Sequence, residues 1–391
     1  MRSVPRLAPL LALLALASCG DDTPTDAADL LAPPDLLPSR PPLSFAAGRD
    51  FATQVVNARS GYPVVVPVAD GDFDGDGIVD LALPNTDGVS LAVILGDGKG
   101  GFTPQPAMPT KGRPTSLVAG DFDGDGLDEL LCGYDGNKLS LVHGRKNRIF
   151  DVPVDLDWPD NTYLLARGDF DGDGKLDAVT APLSGTGLTL ALGDGKGGFT
   201  AKAAYPFMGP SVLLGVGDFD GDKRDDVALS EVFQFLDLLR ATGTALERTR
   251  QIDVPGATLD ATAIGDFDGD GRKDLLLHAS STGPRTLLGK PDGSWADGPM
   301  LDLPGHADSV RTLDLDGDGA LDVVVARDRA NEVVVLLGDG RGAFTRAPVA
   351  LPTSGPAMGL SVRDLDRDGR LDLVVAQGMG GLRVFLNTTP R

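Results

Sequence analysis

Four carboxylates, Asp72, Asp74, Asp76 and Asp80, stand at positions 1, 3, 5 and 9 of the segment DFDGDGIVD. Alternate residues of a tightly curled chain point to one side. Their oxygens can therefore surround one cation, with the main-chain carbonyl of Ile78 at position 7 as a further donor. Gly75 and Gly77 permit the curl, since glycine takes left-handed backbone angles freely. Phe73 at position 2 points the other way, into the surface on which the loop packs. An all-oxygen set suits calcium, which accepts roughly six to eight oxygen ligands in adaptable geometry, whereas magnesium resists such a cage. With no His or Cys in the segment, zinc and copper are not the intended metal.

The segment recurs six times, at steps of 48 to 50 residues. The second copy carries Asp121, Asp123, Asp125, Leu127 and Glu129, and the third Asp169, Asp171, Asp173, Lys175 and Asp177. The fourth carries Asp218, Asp220, Asp222, Arg224 and Asp226, and the fifth Asp266, Asp268, Asp270, Arg272 and Asp274. The sixth carries Asp314, Asp316, Asp318, Ala320 and Asp322, and the seventh Asp364, Asp366, Asp368, Arg370 and Asp372. In every copy the residue at position 7 offers only its carbonyl. The copies are unequal. Glu129 is a longer carboxylate at position 9. Lys223 replaces the second glycine of the fourth loop, and Arg367 the first glycine of the seventh. These two are expected to distort the curl or place a cation nearby, so the Asp218 and Asp364 sites are the weakest of up to seven calcium sites. A hairpin turn needs only one or two such residues. The loops hold 28 of the 57 acidic residues in a chain of net charge −22, and seven divalent ions would offset half of those 28 charges.

The segments between loops are short β-runs bounded by Gly, Asp, Asn and Pro, without helical periodicity. In the first unit, Val64–Val68 leads into the loop, Leu81–Leu83 leaves it, Ser90–Leu95 follows a turn at Asn85–Gly88, and Phe102 opens a fourth strand after the Gly96–Gly101 hairpin. Four strands in just under 50 residues is the arithmetic of a propeller blade. The seventh unit stops at its third strand, Leu382–Leu386, while Phe51–Val56 ahead of the first loop reads as a fourth strand. The N-terminal strand therefore completes the last blade and closes the ring, leaving no free edge. The expected architecture is all-β, one seven-bladed β-propeller over residues 45–391. This pattern resembles the FG-GAP/VCBS-type repeats, including the blades of the integrin α-subunit propeller, across nearly the whole region. The loop is not an EF-hand, because position 12 is Leu83 and the flanks are strands.

The N-terminus reads as an address. Arg2 and Arg6 precede an apolar run, Ala8–Ala17, too short to span a bilayer. It ends in Leu16-Ala17-Ser18-Cys19-Gly20, which resembles a bacterial lipoprotein signal. That resemblance implies removal of residues 1–18, lipidation of Cys19 and, with Gly at position 20, an outer-membrane destination. Several acyl chains anchor stably where one binds only marginally. Residues 19–44 carry the lipidated Cys and a Pro- and Asp-rich disordered tether.

Other chemistry is sparse. A nucleic-acid partner needs a basic surface, which this charge excludes. His143, His278 and His306 fall in different units, and Cys132 follows Leu130-Leu131 as a small buried residue. LGDGKGGFT at 95–103 and 192–200, and LGDGRGAFT at 337–345, join strand to strand, so they are turns rather than phosphate loops. No catalytic constellation emerges, and the chain is read as a non-enzyme and a monomer. A ligand is expected on the face opposite the calcium loops or in the central channel. That face carries Tyr62, Arg113, Tyr134, Trp158–Tyr163, Phe207-Met208 and His306, of which Trp158–Tyr163 suits sugar or protein contacts. The leading expectation is a calcium-stabilised, envelope-anchored binding or adhesion module for a protein or glycan. A polysaccharide- or phosphoester-degrading enzyme and an envelope scaffold subunit stay open.

Overall fold

In the computed structural model, residues 42–390 are described except 54–66, 86–87, 135–137, 147–149, 160–161, 183–186, 208–210, 232–234, 254–258, 280–282, 293, 302, 304–306 and 379. Cys19, the signal segment, nearly all of the tether and the strand residues Val64–Val66 lie outside the described residues.

Seven antiparallel sheets, each a meander of four main strands, form the blades of a β-propeller. Blade 1 runs Ala69–Gly71, Asp80–Pro84, Ser90–Gly96 and Phe102–Pro104, and blades 2 to 7 follow in chain order with first strands Pro114–Gly120, Leu164–Gly168, Ser211–Gly217, Leu259–Gly265, Ser309–Leu313 and Ala357–Arg363. The first strand of each blade lies beside the first strands of its neighbours, around the ring axis. The second strands are the most apolar and most buried, as in Asp80–Pro84 and Glu129–Tyr134. They lie mid-blade with neighbouring blades on both faces, so both sides of the strand must be non-polar. Fourth strands lie on the rim, and Leu246–Asp253 is mostly exposed.

The core is therefore a set of seven blade-to-blade interfaces. Leu130, Cys132 and Val142 of blade 2 pack on Phe73, Ala82 and Val93 of blade 1. Blades 3 and 4 meet through Val179, Leu190, Val227 and Leu229, and blades 7 and 1 through Val374, Leu382, Leu81 and Ile94. The last pair closes the ring. Arg49–Ala52 adds antiparallel to Gly381–Phe385, pairing Phe51 with Leu382. Gln54–Val56 of the expected strand lie outside the described residues. Asp50 pins the seam through Arg383 at 2.9 Å and Gln377 at 3.1 Å. Leu43 and Ser44, placed in the tether by their Pro-rich surroundings, are packed on the propeller. Leu43 is buried against blades 6 and 7, and the Ser44 amide donates to Thr389 Oγ1 at 3.0 Å.

Candidate metal loops and central channel

Each Asp-rich loop joins the first strand of a blade to the second. The position-1 carboxylate organises it. Asp72 Oδ1 accepts from the amides of Gly75 (2.8 Å) and Asp76 (3.2 Å), and Oδ2 from Gly77 (2.8 Å). Asp76 Oδ1 accepts from the Ile78 amide at 2.9 Å. Asp80, at the start of the second strand, is fully buried and anchors the loop from below. Its Oδ2 accepts from the Phe73 amide (3.2 Å) and its Oδ1 from Gly96 at the end of the third strand (2.9 Å). The same pattern recurs at Asp169, Asp266 and Asp314, with first-to-fourth-position contacts of 2.7 to 2.8 Å. Gly75 and Gly77 have φ of 75° and 73°, so the left-handed curl is real.

The loops also dock on one another. Phe73 at position 2 is buried, and its carbonyl accepts from Arg145 in the hairpin of blade 2 (3.0 Å). Phe122 and Phe267 accept in the same way from Gly197 (3.1 Å) and Gly342 (2.8 Å). Their rings meet Phe150, Phe199 and Phe344 of the next blade edge-on, at 5.9, 5.6 and 5.3 Å. The glycine hairpins are turns, as expected. Asp97 Oδ1 accepts from the Lys99 and Gly101 amides, both at 2.8 Å.

The carboxylates converge. Ligand oxygens of Asp72, Asp74 and Asp80 lie within 4.8 Å of one another, as do those of Asp169, Asp171 and Asp177, and of Asp218, Asp220 and Asp226. Asp121, Asp123 and Asp125 do the same in the second loop. Burial pushes the Asp80 carboxyl up to about 7, with the charges of Asp74 and Asp76 adding to the rise against two amide donors. Burial likewise lifts Asp177, Asp226, Asp322 and Asp372 to about 6, and raises Asp274. Glu129 rises furthest, to about 8, through burial and then the charge of Asp123. Crowded like charge around a buried carboxylate is what a divalent cation offsets. The donor sets therefore fit a divalent ion.

The FG-GAP-like repeat pattern matches residues 72–132, 169–229, 266–325 and 314–375, more than half of the chain. The chain belongs to the FG-GAP-like repeat family. No curated protein sequence matches it. Among solved structures, BBS1N in complex with ARL6DN is similar at TM-score 0.61 and 14% identity, covering 90% of this chain and 98% of that one. An Agrocybe aegerita lectin that recognises non-reducing terminal N-acetylglucosamine is similar at TM-score 0.57 and 18% identity, with 86% and 96% covered. Virginiamycin B lyase from Staphylococcus aureus is similar at 0.54 and 13%, with 88% and 99% covered. At such identities the likeness is one of fold.

The FG-GAP loops differ more in charge than in shape. Lys223 and Arg367 do not distort the curl. They adopt φ of 71° and 63°, the conformation glycine takes elsewhere, at a cost of about 1–2 kcal/mol each. The Lys223 amide still reaches Asp218 Oδ2 at 3.0 Å. Arg367 turns its side chain out of its own loop to the Gly77 carbonyl of blade 1. Position 7 contributes more than its carbonyl. Lys175, Arg224, Arg272 and Arg370 pair with the position-5 carboxylates Asp173, Asp222, Asp270 and Asp368. In loop 4, Arg240 Nε also approaches Asp220 at 4.0 Å, so that loop carries its own neutralising charge. Residue-by-residue reading of the loop missed Arg240 and His143, because Arg240 lies in the third strand of its blade and His143 directly follows the third strand of its own.

The ring encloses a channel of about 610 Å³ lined in part by Asp70, Ser116, Arg167, Arg311, Thr312 and Arg363. Arg363 pairs with Asp70, whose Oδ1 accepts from Ser361 at 3.0 Å. Arg311 is exposed to the channel, and the protein walls around it push its pKa down despite the opposite charge of Asp70, with Arg363 adding to the fall. The aromatic face is less available than its sequence suggests. Trp158 is buried among Phe122, Leu131 and Ala178, and its Nε1 donates to Thr180 Oγ1 at 3.3 Å. Tyr134 and Phe207 are buried too. Tyr62, Asp160, Asn161, Met208 and His306 lie outside the described residues. His278 is buried in blade 5, and burial drives the Cys132 thiol up to about 12, which makes it a poor nucleophile.

Proposed function

We propose that this FG-GAP propeller is a calcium-stabilised binding module, held by lipid at Cys19 on the bacterial outer membrane, that recognises a protein or carbohydrate ligand and does not turn it over. The observation that carries the calcium reading is the convergence of position-1, -3 and -9 carboxylates around a buried Asp whose ionisation the folded chain opposes. A divalent ion converts that opposition into attraction and pins each loop to its blade. Calcium here is a structural element, bound within the loops. Melting of the full chain in excess calcium and in EDTA tests this. The transition should fall by many degrees in EDTA and return when calcium is restored, and an unchanged transition would refute it.

The signal-like segment ending at Cys19 supports the anchor. Labelled palmitate should enter the wild-type chain and not Cys19→Ser; label on both would remove the anchor from this account. Recognition is favoured over turnover by the character of the channel. It holds guanidinium and hydroxyl groups suited to hydrogen-bonding an anionic or polar ligand. The lectin recognises a sugar and BBS1N is in complex with ARL6DN, which supports a binding role for this fold, and the ligand itself is not inherited from them.

A further inference from the structure

The second loop departs from the other six in two ways that act together. At its ninth position it has Glu129 in place of Asp. At the end of its third strand it has His143, where the register of the other blades places Leu95, Leu192, Leu288, Leu337 and Leu386, or Arg240 in blade 4. His143 is half-buried, and its Nδ1 lies 3.0 Å from Asp123 Oδ2, twenty residues away in sequence.

The glutamate changes the buried anchor. In blades 1, 3, 4, 5, 6 and 7 the position-9 Oδ1 accepts an amide from the end of the third strand, at 2.7 to 2.9 Å. Glu129 keeps only the other half of this arrangement, with Oε2 accepting from Phe122 (2.9 Å) and Asp123 (3.3 Å). Its Oε1 is buried with no hydrogen-bond partner among the described residues, though the side chain is fully buried. With the longer side chain, the contact to the strand amide seen in the other six blades is missing. Ligand atoms of Asp123, Glu129 and His143 lie within 4.8 Å of one another. A buried carboxylate oxygen without a donor is costly unless something positive meets it.

We propose that this loop is a transition-metal site, in which Asp123, Glu129 and His143 hold one zinc-class divalent ion. Calcium takes oxygen donors, whereas zinc and its neighbours combine imidazole with carboxylates. Three protein ligands leave room for water or for Asp121, so the ion would be reachable from solvent. The site does not depend on calcium filling the other loops, and its test separates the two.

The full chain, saturated with calcium, is titrated with Co²⁺ and followed by visible absorption. One equivalent of Co²⁺ should bind and give d–d bands, which Zn²⁺ then abolishes. His143→Leu installs the residue of five other blades and should remove the bands and weaken binding by about tenfold or more, with melting in calcium unchanged. Glu129→Asp, which restores the anchor of the other six loops, should weaken cobalt binding likewise. Absence of cobalt bands at calcium saturation, or bands unaltered in both variants, would overturn the proposal and leave His143 as a hydrogen-bond partner of Asp123.

Discussion

A carboxylate at position 9 of each loop does two jobs with opposite electrostatic demands. It accepts main-chain amides from the loop and from the third strand, which favours its charge. It is also buried beside two or three other carboxylates, which opposes it. Burial wins in all seven loops where the direction is resolved. The consequence for pH follows from linkage. These groups have folded pKa values raised above their unfolded ones, so their contribution to stability is complete below about pH 4. It is lost as pH rises through about 6 to 8. The metal-free protein should therefore melt at a higher temperature at pH 5 than at pH 8. Excess calcium should abolish or reverse that order, since the ion selects the ionised form. Equal melting at both pH values in EDTA would show that the buried carboxylates are not under strain. At this scale the sequence shows which residues are acidic and how they are spaced. It does not show that Arg224, Arg272 and Arg370 fold back on their own position-5 partners.

Single elements of this fold are weak and borrow their stability from neighbours. A loop is held by the second strand through Asp80, by the third through Gly96, and by the next blade through Arg145 and Asp128. Asp128 Oδ2 accepts the Asp72 amide at 2.9 Å, and Asp225 repeats this on Asp169 at 2.9 Å, stitching loop 1 to loop 2 and loop 3 to loop 4. The Arg49–Ala52 strand is four residues long, yet it pairs with Gly381–Val384 of the five-residue free edge of blade 7. Deleting residues up to Ala52 should expose the Gly381–Phe385 edge, and an unpaired edge recruits other chains. Size-exclusion chromatography should then show oligomers or aggregate in place of the wild-type peak; a truncated chain eluting and melting as wild type would show that the seam carries no load. This strand was legible in the sequence because the seventh unit lacks its fourth strand. The stitching aspartates were not, because their partners lie 56 residues away.

As a whole molecule the protein is a closed ring of seven similar interfaces around a channel that no single blade contains. Arg167, Arg311 and Arg363 belong to blades 3, 6 and 7, and meet only because the ring closes. A ligand of the channel should feel that charge. Arrays of acidic glycans and peptides should show saturable binding by the wild type that is lost in Arg311→Ala, while Trp158→Ala acts first on folding because Trp158 is core. Retained binding in Arg311→Ala would move the ligand site elsewhere. The sequence by itself determined the repeat, the number of blades, the metal-type loop and the route to closure. Those properties are local and recur at a fixed period, so seven copies reinforce one reading. Only the tertiary structure decided which third-strand side chains face the loops, which aromatics are spent on packing, and which cations converge at the axis. These depend on blade-to-blade contact between residues about a repeat apart or more, and a local pattern carries no record of such contacts.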